Sequence, residues 1–120
     1  YRESHELKNV HFFKSLPPLD FLRLLNHADC IVGNSSAGIR ECSFLGVPAV
    51  NIGGREAGRE RGPNVVDVDY DAGEIKREIV NRIIATRPEK STIYGNGRAG
   101  ARIAAILATA DLFIKGRITY

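Results

Sequence analysis

Short apolar runs alternate along this chain with segments of helical periodicity, and this alternation constrains the fold more than any other feature. The runs rich in β-forming residues, which predict strands, are residues 10–13, 30–32, 48–52 and 64–68. The segments with apolar residues at helical spacing, which predict helices, are residues 19–28, 37–45, 72–86 and 98–110. Strands that alternate with helices form a parallel sheet with right-handed crossovers. We therefore predict an α/β fold, a Rossmann-like parallel sheet with flanking helices.

Composition and charge exclude several classes of protein. A chain of 120 residues with 43% hydrophobic and 26% charged residues is typical of one globular domain. No apolar run approaches the ~20 residues that a membrane-spanning helix needs. The net charge of +3, from 17 basic and 14 acidic residues, is mild and lacks the clustered basic face of nucleic-acid-binding proteins. We expect neither a membrane nor a nucleic acid as a partner.

The cysteines and histidines do not indicate a metal site. Cys30 and Cys42 lack the CxxC spacing, so we interpret them as reduced structural thiols of a cytoplasmic protein. His5, His11 and His27 lie at no spacing typical of zinc ligands. We therefore expect no metal and no other cofactor.

Residues 33–38 (Gly-Asn-Ser-Ser-Ala-Gly) join a predicted buried strand to a predicted helix. Free N–H groups at such a helix start favour an anion, Ser35 and Ser36 add hydroxyl donors, and Gly38 allows close approach to the backbone. This is a phosphate-binding pattern, although it is neither a Walker A loop nor a GxGxxG motif. An equally strong alternative is structural: Ser36 caps the helix and Gly38 is a packing glycine.

Glu41 follows Gly38 by three residues and projects from the start of the same predicted helix. A carboxylate there can simply complement the positive end of the helix dipole. It can also accept hydrogen bonds from paired sugar hydroxyls, as an acidic residue does for ribose in dinucleotide sites. Both roles are open from the sequence.

Residues 53–62 form a Gly-rich loop with three arginines, the residue type that binds phosphate in a bidentate, planar way. The alternative is a solvated loop in which Glu56 and Glu60 neutralise the arginines. That alternative is stronger for Arg59 and Arg61 than for Arg55, which closely follows a predicted strand end.

Two hydrolytic mechanisms lack the residues they require. Ser35 and Ser36 do not stand in a GxSxG motif, and no His–Asp pair has a sequence reason to join them. A glycosidase needs two carboxylates that flank one bond, and only Glu41 is well placed.

Three segments resemble the C-terminal region of UDP-N-acetylglucosamine 2-epimerases. They are GNSSAGIRE at residues 33–41, GVPAVNIGGREAGRERGPNV at residues 46–65 and IYGNGRAGARI at residues 93–103. Their order and spacing extend the resemblance over about residues 10–112. The Asn-Ser-Ser form is more similar to the hydrolysing branch, which feeds sialic-acid-type sugars, than to the Asp-Ser-Gly-Gly form of the non-hydrolysing branch.

The resemblance implies a two-domain protein of the GT-B type, with the active site in the cleft between two Rossmann-like domains. The chain begins with Tyr1 and contains no Met, so we expect a piece of a longer protein. Residues 1–120 would then be a partial C-terminal UDP-binding domain, with the N-terminal domain absent. The family also implies a homodimeric parent.

The resemblance assigns residues by motif position. It implies that Ser35 and Ser36 hold the diphosphate of UDP, with Gly38 close by. It also implies that Glu41 binds the ribose hydroxyls and that Arg55 reaches the phosphate region. Contacts to the uracil are implied, mainly through backbone groups, for Lys14, Ser15 and Leu16.

The implied reaction eliminates UDP from UDP-N-acetylglucosamine to give a glycal, after which water or UDP adds back with inversion at C2. The product is N-acetylmannosamine plus UDP, or UDP-N-acetylmannosamine. The family's proton-transfer carboxylates belong to the N-terminal domain, so we expect the catalytic residues outside this chain and the fragment alone to be inactive. The alternatives are the C-terminal domain of a UDP-sugar glycosyltransferase and a stand-alone nucleotide-sugar binding module.

Overall fold

The computed structural model describes residues 9–110, which leaves His5 outside the described range. The elements are helix α1 (Pro18–His27), strand β1 (Ile31–Gly33), helices α2 (Ser36–Ile39) and α3 (Glu41–Leu45), strand β2 (Ala49–Ile52), a 3-10 turn (Gly54–Glu56), strand β3 (Val65–Val68) and helices α4 (Ala72–Ile84) and α5 (Ala99–Thr109). The strands form one parallel sheet in the order β1-β2-β3. The predicted Rossmann-like α/β fold is confirmed.

The register of the sheet brings three strand ends to one edge. Gly33 at the end of β1 pairs with Asn51, and Asn51 pairs with Asp67. The segments that follow β1 and β2 therefore begin side by side at the carboxyl edge, where parallel sheets bind ligands. The first is the loop before α2, and the second is the arginine-bearing loop that leads to β3.

One core lies between the sheet and the helices that precede and follow β1. Leu25, Ala37, Cys42 and Val47 form its buried cluster. The partly buried hydrophobic residues packed against this cluster are Phe21, Ala28, Ile31 and Leu45. This packing stabilises the elements on both sides of the loop after β1.

The helix predicted over residues 37–45 is broken at Arg40 into α2 and α3. The fully buried Asn64 donates from its amide Nδ2 to the carbonyl of Gly38 at 2.9 Å and to the carbonyl of Val47 at 3.0 Å. The break therefore occurs where the side chain of Asn64, which immediately precedes β3, binds a helix carbonyl. Gly46 ends α3 in the left-handed conformation (φ 69°), as expected for a glycine at this position.

The strand predicted over residues 10–13 is absent, and this prediction was wrong. Strand β1 is at the edge of the described sheet, and residues 10–13 are exposed and form no regular secondary structure. Val and Phe fit the surface of a sheet, but a strand also needs a neighbouring strand for its backbone. The described chain supplies none at this edge.

The two C-terminal helices agree with the predicted ranges to within two residues at each end. In α4, the Asp71 side chain caps the helix by accepting a hydrogen bond from the backbone N–H of Glu74 at 2.7 Å. Every residue of α5 is exposed. None of the helices between residues 9 and 110 combines the length and apolarity required to cross a membrane.

Candidate functional site

A small cavity lies at the carboxyl edge of the sheet, between the ends of β1 and β2. Gly33, Ser35, Gly38 and Asn51 line it together with four apolar residues of the strands. Its volume is about 10 Å³, which is close to the space needed for one water molecule. The structure thus brings Ser35 and Gly38, two residues predicted to bind phosphate, to one place.

The serines and the glycine of this loop have distinct structural roles. Ser35, rather than Ser36, caps α2, because its Oγ accepts a hydrogen bond from the N–H of Ala37 at 3.3 Å. The alternative in which Ser36 is the cap is therefore corrected. Gly38 is buried, and a Cβ on it would lie 3.4 Å from the side chains of Ala49 and Ile31. It packs closely on the sheet, as its structural interpretation predicted.

A charged network that sequence reasoning missed continues from the cavity along the ends of β2 and β3. Asn51, only 3% exposed, donates from Nδ2 to Asp67 Oδ1 at 2.6 Å. Arg61 Nε donates to Asp67 Oδ2 at 3.0 Å. The hydrogen bond from Arg61 is the main reason why the pKa of Asp67 is lowered from its usual range. Asn51 Oδ1 is buried and has no hydrogen-bond partner among the described residues.

The three arginines of the loop are paired to very different extents. Arg59 Nε lies 2.7 Å from Glu56 Oε2, close enough for an ion pair although not aligned as a hydrogen bond. Arg61 is held by Asp67 and by the carbonyls of Arg59 and Glu56, so it is not neutralised by a neighbouring glutamate as the alternative supposed. Arg55 remains 69% exposed and lies 4.0 Å from Glu56. It is the arginine most available to a ligand.

Glu41 lines a second, larger cleft of about 530 Å³ rather than the cavity beside Ser35. Its other lining residues come from α1, α3 and the C-terminal segment, and include Leu22, Arg40, Phe44, Tyr94, Asn96 and Arg102. The Oε2 atom of Glu41 is buried and has no hydrogen-bond partner among the described residues. An unpaired buried acceptor is costly, so a ligand donor would stabilise it.

The residues predicted to contact uracil lie immediately before α1. Lys14 and Ser15 are exposed, and Leu16 is half-buried. Within residues 9–110, the side chains of these three residues make no hydrogen bond. These three residues are not among those that line the cleft, and no side-chain hydrogen bond within residues 9–110 engages them.

The described residues provide neither a reactive thiol nor a metal centre for this site. Cys30 and Cys42 are free, and burial raises the pKa of Cys42 to about 11, so its thiol is protonated and poorly nucleophilic at neutral pH. Across the described part of the chain, no group of three or more His, Cys, Asp or Glu side chains is arranged to hold a metal ion.

Known proteins with similar sequences are sugar-nucleotide epimerases and a related biosynthetic protein. The UDP-N,N'-diacetylbacillosamine 2-epimerase (hydrolyzing) of Legionella pneumophila is 33% identical over 104 residues, which cover 87% of this chain and 28% of that protein. The UDP-N-acetylglucosamine 2-epimerase of Neisseria meningitidis serogroup B is 47% identical over 55 residues, 46% of this chain and 15% of that protein. Polysialic acid biosynthesis protein P7 of Escherichia coli is 40% identical over 60 residues, 50% of this chain and 15% of that protein.

The aligned regions correspond to between 15% and 28% of the length of these relatives, so the chain spans a minor part of each. The sequence model of the UDP-N-acetylglucosamine 2-epimerase family matches residues 1–108, which is nearly the whole chain. This protein therefore belongs to the UDP-N-acetylglucosamine 2-epimerase family.

Proposed function

We propose that this chain is the UDP-binding part of a UDP-N-acetylglucosamine 2-epimerase. The observation that carries the proposal is that Glu41 lines an open cleft, one helical turn after the serine-bearing loop, while its Oε2 has no hydrogen-bond partner among the described residues. Paired ribose hydroxyls are donors that match this acceptor. A charge-assisted hydrogen bond of this kind contributes about 1.5–3 kcal/mol.

The diphosphate is assigned to the loop at the end of β1 and to Arg55. Ser35 and Ser36 supply hydroxyl groups there, and Gly38 lets the start of α2 pack closely against the side chains of β1 and β2. Arg55 is exposed and only weakly paired, which supports its role as a phosphate ligand. These groups would stabilise the negative charge that develops on UDP as it departs.

The uracil is assigned to the segment before α1. Lys14 and Ser15 are exposed and Leu16 is half-buried, so backbone groups and one apolar side chain are available to a flat base. No hydrogen bond or ion pair within residues 9–110 competes for these side chains.

The proposed reaction begins with elimination of UDP and of the C2 proton to give a glycal, and ends with addition of water or UDP at C1 and of a proton to the opposite face of C2. No residue of this chain is given the role of base, because proton transfer at C2 needs a positioned group and the family places it in another domain. The whole protein is proposed to be a cytoplasmic, homodimeric enzyme of the GT-B type, with residues 1–120 as part of its C-terminal domain. The name of the Legionella relative, a hydrolyzing 2-epimerase, favours the hydrolysing reaction, which in this protein would yield N-acetylmannosamine and UDP.

Calorimetric titration of UDP into the full-length protein tests the assignment of Glu41. We expect Glu41→Ala to weaken UDP binding by roughly 10–100-fold, because the ribose loses a charge-assisted acceptor. Glu89→Ala is the control, since Glu89 is an exposed carboxylate remote in sequence from the serine loop and from Glu41. Equal affinities of wild type and Glu41→Ala would refute the ribose role.

Two product assays test the rest of the proposal. The full-length protein, incubated with UDP-N-acetylglucosamine and no acceptor, is expected to release the C2-epimerised sugar. A protein that consumes the substrate only when an acceptor is added would be a glycosyltransferase instead, and one that binds UDP without any turnover would be a binding module. The 120-residue chain alone is expected to release no N-acetylmannosamine.

A further inference from the structure

We propose that Arg102, with Arg40, is a phosphate-binding residue, and that the segment Tyr94 to Arg102 forms the second wall of the site for a nucleoside diphosphate. This inference rests on the proposed function: it adds Arg102 and Arg40 to the phosphate ligands proposed there, Ser35, Ser36 and Arg55, and gives a role to a segment that the proposed function leaves unassigned. The two arginines and Glu41 line the same cleft, Arg40 and Glu41 from the α2–α3 junction and Arg102 from α5.

The charges of this cleft select an anion that also carries donors. Arg40, Arg102 and Glu41 are its charged lining residues, so the lining has a net positive charge. Within residues 9–110, neither arginine forms an ion pair or a side-chain hydrogen bond, although Arg23, Arg59, Arg61 and Arg77 each have a carboxylate partner. A guanidinium with no internal partner is free to bind phosphate in a bidentate manner, while Glu41 requires a donor such as a hydroxyl group.

The walls of the cleft suit a ligand with a flat or apolar part. Phe44 on one side and Tyr94 on the other are large, partly exposed aromatic residues that line it. Aromatic faces of this kind pack against sugars and bases. The volume of about 530 Å³ falls within the usual range of small-molecule sites.

Two hydrogen bonds fix the parts of the C-terminal wall. The Tyr94 hydroxyl donates to the carbonyl of Glu60 at 2.6 Å, which ties this wall to the arginine-bearing loop. Asn96 Oδ1 accepts from the N–H of Arg98 at 3.2 Å, so its amide nitrogen is the group left for a ligand. The wall thus offers donors and a positive charge opposite the Glu41 carboxylate.

Binding of UDP and of uridine to the full-length protein tests the inference. Arg102→Gln is expected to weaken UDP binding at least about tenfold and to change uridine binding, measured by competition, by less than twofold, because only UDP carries phosphates. Arg102→Lys is expected to recover part of the loss, since it keeps the charge but not the bidentate geometry. Arg77→Gln is the matched control, because Arg77 is an exposed arginine on α4, outside the proposed wall, and is not among the residues that line the cleft.

The outcomes separate this inference from the proposed function. If Glu41→Ala weakens UDP binding and Arg102→Gln does not, the role of Arg102 is refuted while the ribose role stands. Equal losses for UDP and uridine, or equal losses in Arg77→Gln, also refute it, since they indicate an indirect effect or general charge attraction. If the wild-type protein does not bind UDP, both the proposed function and this inference fail.

Discussion

Burial differs between two regions of the molecule. The sheet and its two short helices, α2 and α3, contain most of the buried hydrophobic residues, whereas the C-terminal helix α5 is exposed. Of the eight buried hydrophobic residues within residues 9–110, seven belong to the range 37–68, and Leu25 is the eighth. In α5, Ile103, Ile106 and Leu107 are all more than half exposed. The described chain therefore builds a core around the sheet but leaves the apolar face of its last helix in solvent.

This difference matters because the cleft at Glu41 takes one wall from each region. The wall formed by α3 is anchored in the core through Cys42 and Ser43, which are fully buried. The opposite wall is held by hydrogen bonds, among them the Tyr94 to Glu60 contact and a bond from the N–H of Ser91 to the carbonyl of Ser43 at 2.9 Å. We expect substitutions in the first wall to affect folding and substitutions in the second to affect mainly binding.

Asn64→Ala is expected to have the largest effect on stability. The change leaves the buried carbonyls of Gly38 and Val47 without the partner they now share, at a cost of roughly 2–4 kcal/mol. Urea-induced unfolding of the variant measures the loss. Asn81→Ala on the exposed surface of α4 is the control, and a loss no greater than that of the control would show that Asn64 does not anchor the helix break.

Gly46→Ala comes next. Gly46 adopts the left-handed conformation, and a Cβ there would lie 2.7 Å from the carbonyl oxygen of Pro88. We expect a loss of about 1–2 kcal/mol from backbone strain and from this close contact, measured by thermal unfolding. Gly100→Ala in α5 is the control, because a Cβ at Gly100 meets open space and alanine favours helix. A variant Gly46→Ala as stable as wild type would contradict the strain argument.

These two sites show what the sequence predicts and what it does not. Gly46 followed by Pro48 indicates a helix end from local rules, and the structure confirms it. Asn64 carries no local signal, because its partners are 17 and 26 residues away and the contact exists only once β3 is paired in the sheet. The same limit explains the wrong strand at residues 10–13, whose composition suits a sheet that does not extend to them.

The candidate site likewise contains features that local sequence rules predict and features that depend on the fold. The loop with Ser35, the position of Glu41 at a helix start and the availability of Arg55 are local properties, and sequence reasoning identified all three residues. The alternative interpretation paired Arg61 with nearby glutamates, whereas its guanidinium binds Asp67 in β3, six residues along the chain. It also gave no contact to Arg102, since only the fold brings α5 to the cleft.

Asp67→Asn is expected to have a smaller effect that depends on pH. The hydrogen bond from Arg61 lowers the pKa of Asp67 in the folded state, so its stabilisation is present above the unfolded value of about 3.9 and is lost as pH falls through the lower folded value. Because the carboxylate is half exposed, we expect a loss below about 1 kcal/mol at pH 7. Urea midpoints at pH 7 and pH 3 measure it.

The difference between wild type and Asp67→Asn should shrink at the lower pH. Asp29→Asn is the control, because Asp29 is exposed and forms no ion pair within residues 9–110, and it should change the midpoint at pH 7 by less. A difference that grows as the pH falls would contradict the predicted sign.

Ile106→Ser in α5 is expected to have the smallest effect in this chain. Ile106 is 63% exposed, so the substitution removes little buried surface and should change the free energy of unfolding of the 120-residue chain by less than about 0.5 kcal/mol. Chemical denaturation measures this change, with Ile39→Ser in the core as the contrasting variant. A large loss of unfolding free energy in Ile106→Ser would contradict the difference in burial between α5 and the core.

Because the helix breaks at Arg40, the side chain of Asn64 links the sheet to the cleft. Its amide donates to the carbonyl of Gly38, just before the break, and the chain restarts as α3 with Glu41 as the first residue. The direction in which a cleft carboxylate points thus depends on a side chain at the entrance of β3, on the other side of β2.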